Sequence, residues 1–190
     1  MTLCLSQPVP APENCPSAAA RAASGRRQWL LAGLGLLAAV CAPARALEPP
    51  TGAVVLTLGG RVRNTNDGRR AQFDMATLES LPQHSLVTAT PWYAQARRFT
   101  GPLLRDVLAA AGAQGTTLRL IALNDYRVDM PFNDAQRYDV VLARLLDDKP
   151  LAVRDKGPLL VIYPFDAQPE LRSAVYYGRS AWQLRTIEVL

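Results

Sequence analysis

Few side chains in this sequence could do chemistry, and their spacing rules out more than it supports. His84 is the one histidine. A metal site needs further ligands at set spacings, and none stands near it. Ser85 beside His84, with any aspartate, can be written as a nucleophilic triad, but no elbow motif surrounds a serine. Gly59-Gly60 lacks the spacing and the following helix of a phosphate cradle. Asp125, Asp129, Asp134 and Asp139 could do acid–base work if a cleft paired them. At turns, aspartates also bond their own backbone, and Asp129 falls on the polar face of a strand. Arg97, Arg98, Arg172 and Arg179 could hold an anion, or stand as solvated charge. Trp92, Tyr93, Tyr126, Tyr176 and Tyr177 could line an aromatic pocket, while core packing accounts equally well for Trp92 and Trp182. No catalytic group and no metal-ligand set emerges.

The elements that would position these groups can be read from periodicity. Val54–Leu58 is a β-rich run ended by Gly59-Gly60, with Arg61–Arg63 as a possible continuation. Asn64–Arg70 is a turn. Asp74 can cap a short helix with Met75, Leu78 and Leu81 on one side, stopped by Pro82. Ser85–Thr90 and Gln95–Phe99 read as strands. Gly101-Pro102 suggests a helix start, with proline at the first helical position. Leu103, Leu104, Val107, Leu108 and Ala111 form its stripe, and Gly112 its left-handed cap. Leu118–Leu123 and Tyr126–Met130 are strands joined at Asn124-Asp125, and Asn133 is placed to cap one short turn. Val140–Leu146 is apolar, with a period that separates neither strand nor helix. Asp147–Lys149 is a charged turn. Leu159–Tyr163 and Trp182–Leu190 are strands around a loop, 166–181, with one helical turn. Strands outnumber short, scattered helices, which predicts an α+β fold with a mixed sheet.

The 190 residues suffice for one domain with a core. The first 46 read as a signal peptide: Arg26-Arg27, an apolar run from Trp29 to Ala42, then Pro43-Ala44-Arg45-Ala46 with an A-x-A pattern. The run is shorter than a membrane span of about 20 residues. The paired arginines fit a twin-arginine address or a general secretory signal that begins with two arginines. Cleavage after Ala46 leaves 47–190 as a single domain, periplasmic or secreted. It also lowers the Lys+Arg count from 21 to 17 and the Asp+Glu count from 16 to 15. The remaining excess is no argument for nucleic acid or membrane binding. Cys4, Cys15 and Cys41 all leave with the leader, so residues 47–190 contain no thiolate and no disulfide.

The order of segments carries a resemblance. VVLTLGGRVRN, FDMATLESLP, LVTATPW and FTGPLLRDVLAAAG follow one another as in the opening of the molybdopterin-binding domain of the sulfite oxidase family. LIALNDYRVDMP is similar to that family's strand–turn–strand hairpin, with Asn124-Asp125-Tyr126 at the turn. DDKPLAVRDKGPLLVIYP resembles its passage from a Gly-Pro turn through a strand to proline, and AWQLRTIEV its closing strand. The likeness covers nearly all of residues 54–190.

That resemblance implies a mixed β-sheet with short helices, and molybdopterin-dependent oxidoreductase chemistry. In the family, the strand before the tryptophan carries the cysteine whose thiolate binds molybdenum, and the matching position here is Thr88. A threonine hydroxyl stays neutral at pH 7 and cannot take over that bond unaided. The family's segment ahead of the first strand is not matched. Its late-loop lysine, which meets the cofactor phosphate, is matched by Ser180-Ala181, with Arg172 or Arg179 as substitutes. The expectation is therefore a domain with a degenerate active site and no cofactor. Its cleft would involve Thr88, Thr90, Trp92, Asn124, Asp125, Tyr126, Arg172 and Arg179. It would hold a small anionic ligand or a periplasmic or membrane-anchored protein. The alternative is a molybdopterin oxidoreductase that holds its cofactor without a protein thiolate.

Overall fold

Fifteen strands and helices follow one another through residues 47–190, which are the residues described by this computed structural model. Residues 1–46, on which the expected signal peptide with its arginine pair, cysteines and cleavage pattern falls, lie outside the described residues. In chain order the elements are β1 (Val54–Gly60), β2 (Ala71–Asp74), α1 (Met75–Ser80), β3 (Gln83–Thr88), β4 (Arg97–Pro102) and α2 (Leu104–Ala110). Then come β5 (Thr117–Ala122), β6 (Arg127–Pro131), α3 (Phe132–Arg137), β7 (Val141–Ala143), β8 (Leu145–Leu146) and β9 (Lys149–Pro150). β10 (Leu160–Ile162), α4 (Ala174–Arg179) and β11 (Leu184–Val189) complete them.

The main sheet has the order β2-β1-β11-β5-β6. It is mixed because β1 runs parallel to β11, with Thr57 opposite Thr186, while every other pairing in it is antiparallel. Alternation along the strands turns Leu56, Leu58, Leu118, Leu120, Ile187 and Val189 into a core, where Leu104, Val107 and Leu108 of α2 join them. A second arrangement, β3-β4-β8-β9 with the β10-β7 pair nearby, encloses a smaller cluster around Phe99, Leu103, Leu160 and Ile162. Trp92, in the loop between β3 and β4, packs against both clusters.

Two local expectations hold at the atomic level. The Asp74 carboxylate accepts the Thr77 N–H at 2.8 Å and caps α1. Gly112 has φ +60°. Its N–H donates to the Ala109 carbonyl and that of Ala113 to the Leu108 carbonyl, both at 2.9 Å, which closes α2 in a Schellman motif.

Others are corrected. Pro102 does not begin a helix: it ends β4, and α2 starts at Leu104. The helical stripe was legible, but Gly101 is held in the strand by the close passage of the Leu142 carbonyl, which leaves no room for a Cβ. β3 stops at Thr88, two residues early. Arg61–Arg63 does not extend β1, because Gly60 turns at φ +80° and the Arg63 and Asn64 N–H groups bond the Ala111 carbonyl. Asn133 lies within α3, not at its cap. Val140–Leu146 becomes two strands broken at Arg144, whose guanidinium reaches Glu79 and Gln83.

Candidate functional site

Thr88 ends β3 and is 1% exposed. Its Oγ1 accepts the Asp166 N–H at 3.2 Å, and the Asp166 carboxylate accepts the Ala89 N–H at 2.7 Å. Arg172 completes the lock, donating to Asp166 Oδ1 at 2.6 Å and to the Phe165 carbonyl at 2.9 Å. Thr88 therefore bolts the end of a strand to the loop after β10, and Arg172 is already engaged by a carboxylate.

Arg179 is engaged as well. Its guanidinium and the Tyr163 hydroxyl both donate to Asp134 Oδ2, each at 2.9 Å. Burial first, and then the Asp134 carboxylate, pushes the Tyr163 phenol well above its usual range, so it remains a protonated donor.

A cavity of about 300 Å³ opens elsewhere, between the β5–β6 turn, the end of α4 and the start of β11. Asn124, Tyr126, Tyr177, Ser180, Trp182 and Gln183 line it. Tyr126 donates its hydroxyl to the Gly178 carbonyl at 3.1 Å, fixing one aromatic wall. Asn124 Oδ1 accepts the Tyr126 N–H at 3.2 Å, which leaves the amide nitrogen of Asn124 without a protein partner among the described residues. Asp125 turns away to Arg185 at 2.6 Å. Trp92 stands behind the aromatic wall, its ring 5.5 Å from that of Trp182 and 6.2 Å from that of Tyr177.

Lys156, a residue the sequence did not flag, packs on Trp182 without being part of the cavity lining. Its ammonium lies 4.8 Å from the Trp182 ring centroid and 4.9 Å from that of Tyr93. Its carbonyl accepts the Gln183 N–H at 3.0 Å. The neighbouring Asp155 turns to Arg154, and no carboxylate among the described residues pairs with Lys156. The loop behind it holds three buried polar atoms without a protein partner among the described residues: Thr90 Oγ1, Trp92 Nε1 and the Tyr93 hydroxyl. Burial pushes the Tyr93 phenol up, which keeps it protonated.

No family model and no curated protein matches this chain. Among solved structures it is similar to a chain of the sulfane dehydrogenase SoxCD from Paracoccus pantotrophus, with TM-score 0.52 and 16% identity. The likeness covers 70% of this chain and 37% of that one, so the present chain spans well under half the length of its neighbour. It shows the fold alone. That fold is α+β, a mixed sheet with short helices, sulfite-oxidase-like.

The residues present do not fit a thiolate-held molybdenum. At the position matched to the family's cysteine, the Thr88 oxygen is a neutral acceptor taken up by a backbone N–H. Among the described residues, no three His, Cys, Asp or Glu side chains gather where they could hold a metal ion. No helix among the described residues is long and apolar enough to cross a membrane.

Of the residues expected in one cleft, the structure brings Asn124 and Tyr126 into the cavity and places Trp92 behind its wall. Thr88 and Thr90 lie outside the lining, and Asp125, Arg172 and Arg179 are spent on ion pairs. Lys156 and Gln183 carry no local signal beyond a lysine before Gly-Pro and a polar residue before a strand. Both occupy the left-handed region, at φ +76° and +52°.

Proposed function

We propose that this chain is an exported domain of the sulfite-oxidase fold that binds a small ligand in the cavity between Asn124 and Trp182 and carries out no molybdenum chemistry. The observation that carries this reading is the Thr88–Asp166 hydrogen bond. At the position matched to the metal-binding sulfur, the side chain is a structural fastener. The cavity supplies what the fastener cannot. Its volume of about 300 Å³ lies at the lower end for small-molecule sites. It has aromatic walls and a few polar groups with bonding capacity left over, as such sites do. The likeness to SoxCD supports the scaffold; the 37% coverage of that chain keeps its dehydrogenase activity from being carried across.

Metal and pterin analysis of protein purified from a molybdenum-replete host tests the first half. The expected result is substoichiometric molybdenum and no pterin. Stoichiometric molybdenum would overturn the reading in favour of a cofactor held without a thiolate. A thermal-shift screen of small aromatic and anionic compounds tests the second half. Stabilisation that disappears in Trp182→Ala supports a ligand cavity. No shift with any compound transfers the function to a protein partner.

A further inference from the structure

We infer that the cavity takes an aromatic carboxamide, with its flat ring on Trp182, Tyr177 and Tyr126 and its amide paired with Gln183 and Asn124. This rests on the ligand-cavity reading above and names the ligand's class. Every residue that would touch the ligand lines the cavity.

Two of the lining residues are primary amides, and a backbone partner fixes which way round each one stands. Asn124 turns its Oδ1 to the Tyr126 N–H at 3.2 Å, so its amide nitrogen is the end left over. Gln183 does the reverse: its Nε2 donates to the Val153 carbonyl at 2.8 Å, so its Oε1 is the end left over. Neither of those ends has a protein partner among the described residues. The cavity thus holds one amide donor and one amide acceptor with bonding capacity to spare. A carboxamide is their complement, because its carbonyl accepts from Asn124 while its nitrogen donates to Gln183. A ligand with acceptors alone would cover the Gln183 oxygen and leave it unpaired, and an unpaired covered group costs more than a typical bond contributes.

The ring follows from the three aromatic walls. Tyr177 and Trp182 both stand edge-on to Trp92, with ring centroids 6.2 and 5.5 Å from it. Tyr177 also packs on Phe165 at 4.9 Å, and Tyr126 is tied to Gly178 through its hydroxyl. Walls fixed in this way favour a rigid flat ring over a flexible chain. Tyr126 and Trp182 are 47% and 41% exposed, so a ring laid on them removes apolar surface from water. The backbone at both amides adds support. Gln183 has φ +52°, and Asp125, which follows Asn124, has φ +62°. Glutamine is not among the residues that visit this region readily, and such strain gathers at ligand clamps.

The test titrates the full chain with four probes and follows the Trp182 indole N–H and the side-chain amide signals of Asn124 and Gln183 by heteronuclear NMR. Benzamide carries both features. Acetophenone has the same shape without the donor, benzoate has acceptors alone, and cyclohexanecarboxamide has the amide without the flat ring. Benzamide is expected to bind about tenfold more tightly than each of the other three, and to move all three signals. Gln183→Met is expected to bring benzamide down to the level of acetophenone while leaving acetophenone unchanged. Asn124→Asp keeps the oxygen that Tyr126 needs, and is expected to weaken benzamide and acetophenone alike. Equal affinity for benzamide and acetophenone in the unaltered protein, which needs no variant to fold, overturns the inference while leaving the cavity reading standing. Tighter binding of benzoate or cyclohexanecarboxamide than of benzamide overturns it in the same way. If none of the four probes moves the Trp182 signal, the inference and the cavity reading fall together.

Discussion

Asp166 donates its backbone N–H to Oγ1 of Thr88 across 3.2 Å, joining residues 78 apart in sequence. The same aspartate returns a carboxylate oxygen to the N–H of Ala89 at 2.7 Å. The end of β3 is thereby sewn to the loop after β10. A hydroxyl suits this task because it accepts a hydrogen bond well, which a thiol does poorly.

Thr88→Val keeps the shape and removes the acceptor. It should destabilise the protein by about 1 kcal/mol, the net contribution of a part-buried hydrogen bond. Thr88→Ser should cost less, and Thr88→Cys should fall between them. Urea denaturation measures all three. A Thr88→Val midpoint equal to that of the parent would show that the bond fastens nothing.

Asp134 is 8% exposed and accepts from both Tyr163 and Arg179. Its replacement by alanine strands two donors, one of them cationic, and should cost on the order of 3 kcal/mol. Tyr163→Phe removes one donor and leaves the ion pair, at a cost of about 1 kcal/mol. If the two variants unfold at the same denaturant concentration, the Arg179 pair contributes nothing.

Asp74 provides a pH test. Hydrogen bonds from Thr77 first, and then from Gly52 and Thr51, hold its carboxyl well below the usual carboxylate range. Its folded value is therefore lower than its unfolded value of about 3.9. The sign follows: this contribution is complete above the unfolded value and is lost as pH falls toward the folded one. Asp74→Ala should be less stable than the parent at neutral pH, and the gap should narrow as the pH is lowered below about 4. A gap that stays constant down to the acid transition would show that the charged form is not what the capping bonds favour.

Gly101 lies in β4 with the Leu142 carbonyl oxygen where a Cβ would go. Gly101→Ala must push β4 away from β7, which should cost about 2–3 kcal/mol. Gly178, with nothing near its would-be Cβ, is the control, and alanine there should leave stability nearly unchanged. Thermal unfolding of the pair decides whether backbone approach, and not a proline-started helix, explains the Gly-Pro pair.

Much of the fold was legible from the chain alone. Alternation at Leu118, Leu120 and Ala122 marks β5, and the Asp74 cap and the Gly112 stop are written in residue type. β2 was missed because four residues between a turn and a helix are too few to show a period. The candidate site was half legible. Asn124 and Tyr126 stood out as a turn, whereas Lys156 had nothing local to distinguish it.

Local order follows from short-range physics: a strand repeats every two residues, a helix every 3.6, and caps and turns depend on side chains within a few positions. By itself the sequence therefore determined the type of the clearly periodic elements, the α+β class and the absence of any thiol from residues 47–190. Only the tertiary structure decided that Thr88 meets Asp166, that Arg179 is spent on Asp134 and that Lys156 lies over Tyr93 and Trp182. Those meetings join residues 78, 45, 63 and 26 positions apart. They depend on which strands pair and in what register, and a two-residue or 3.6-residue rhythm carries no record of that.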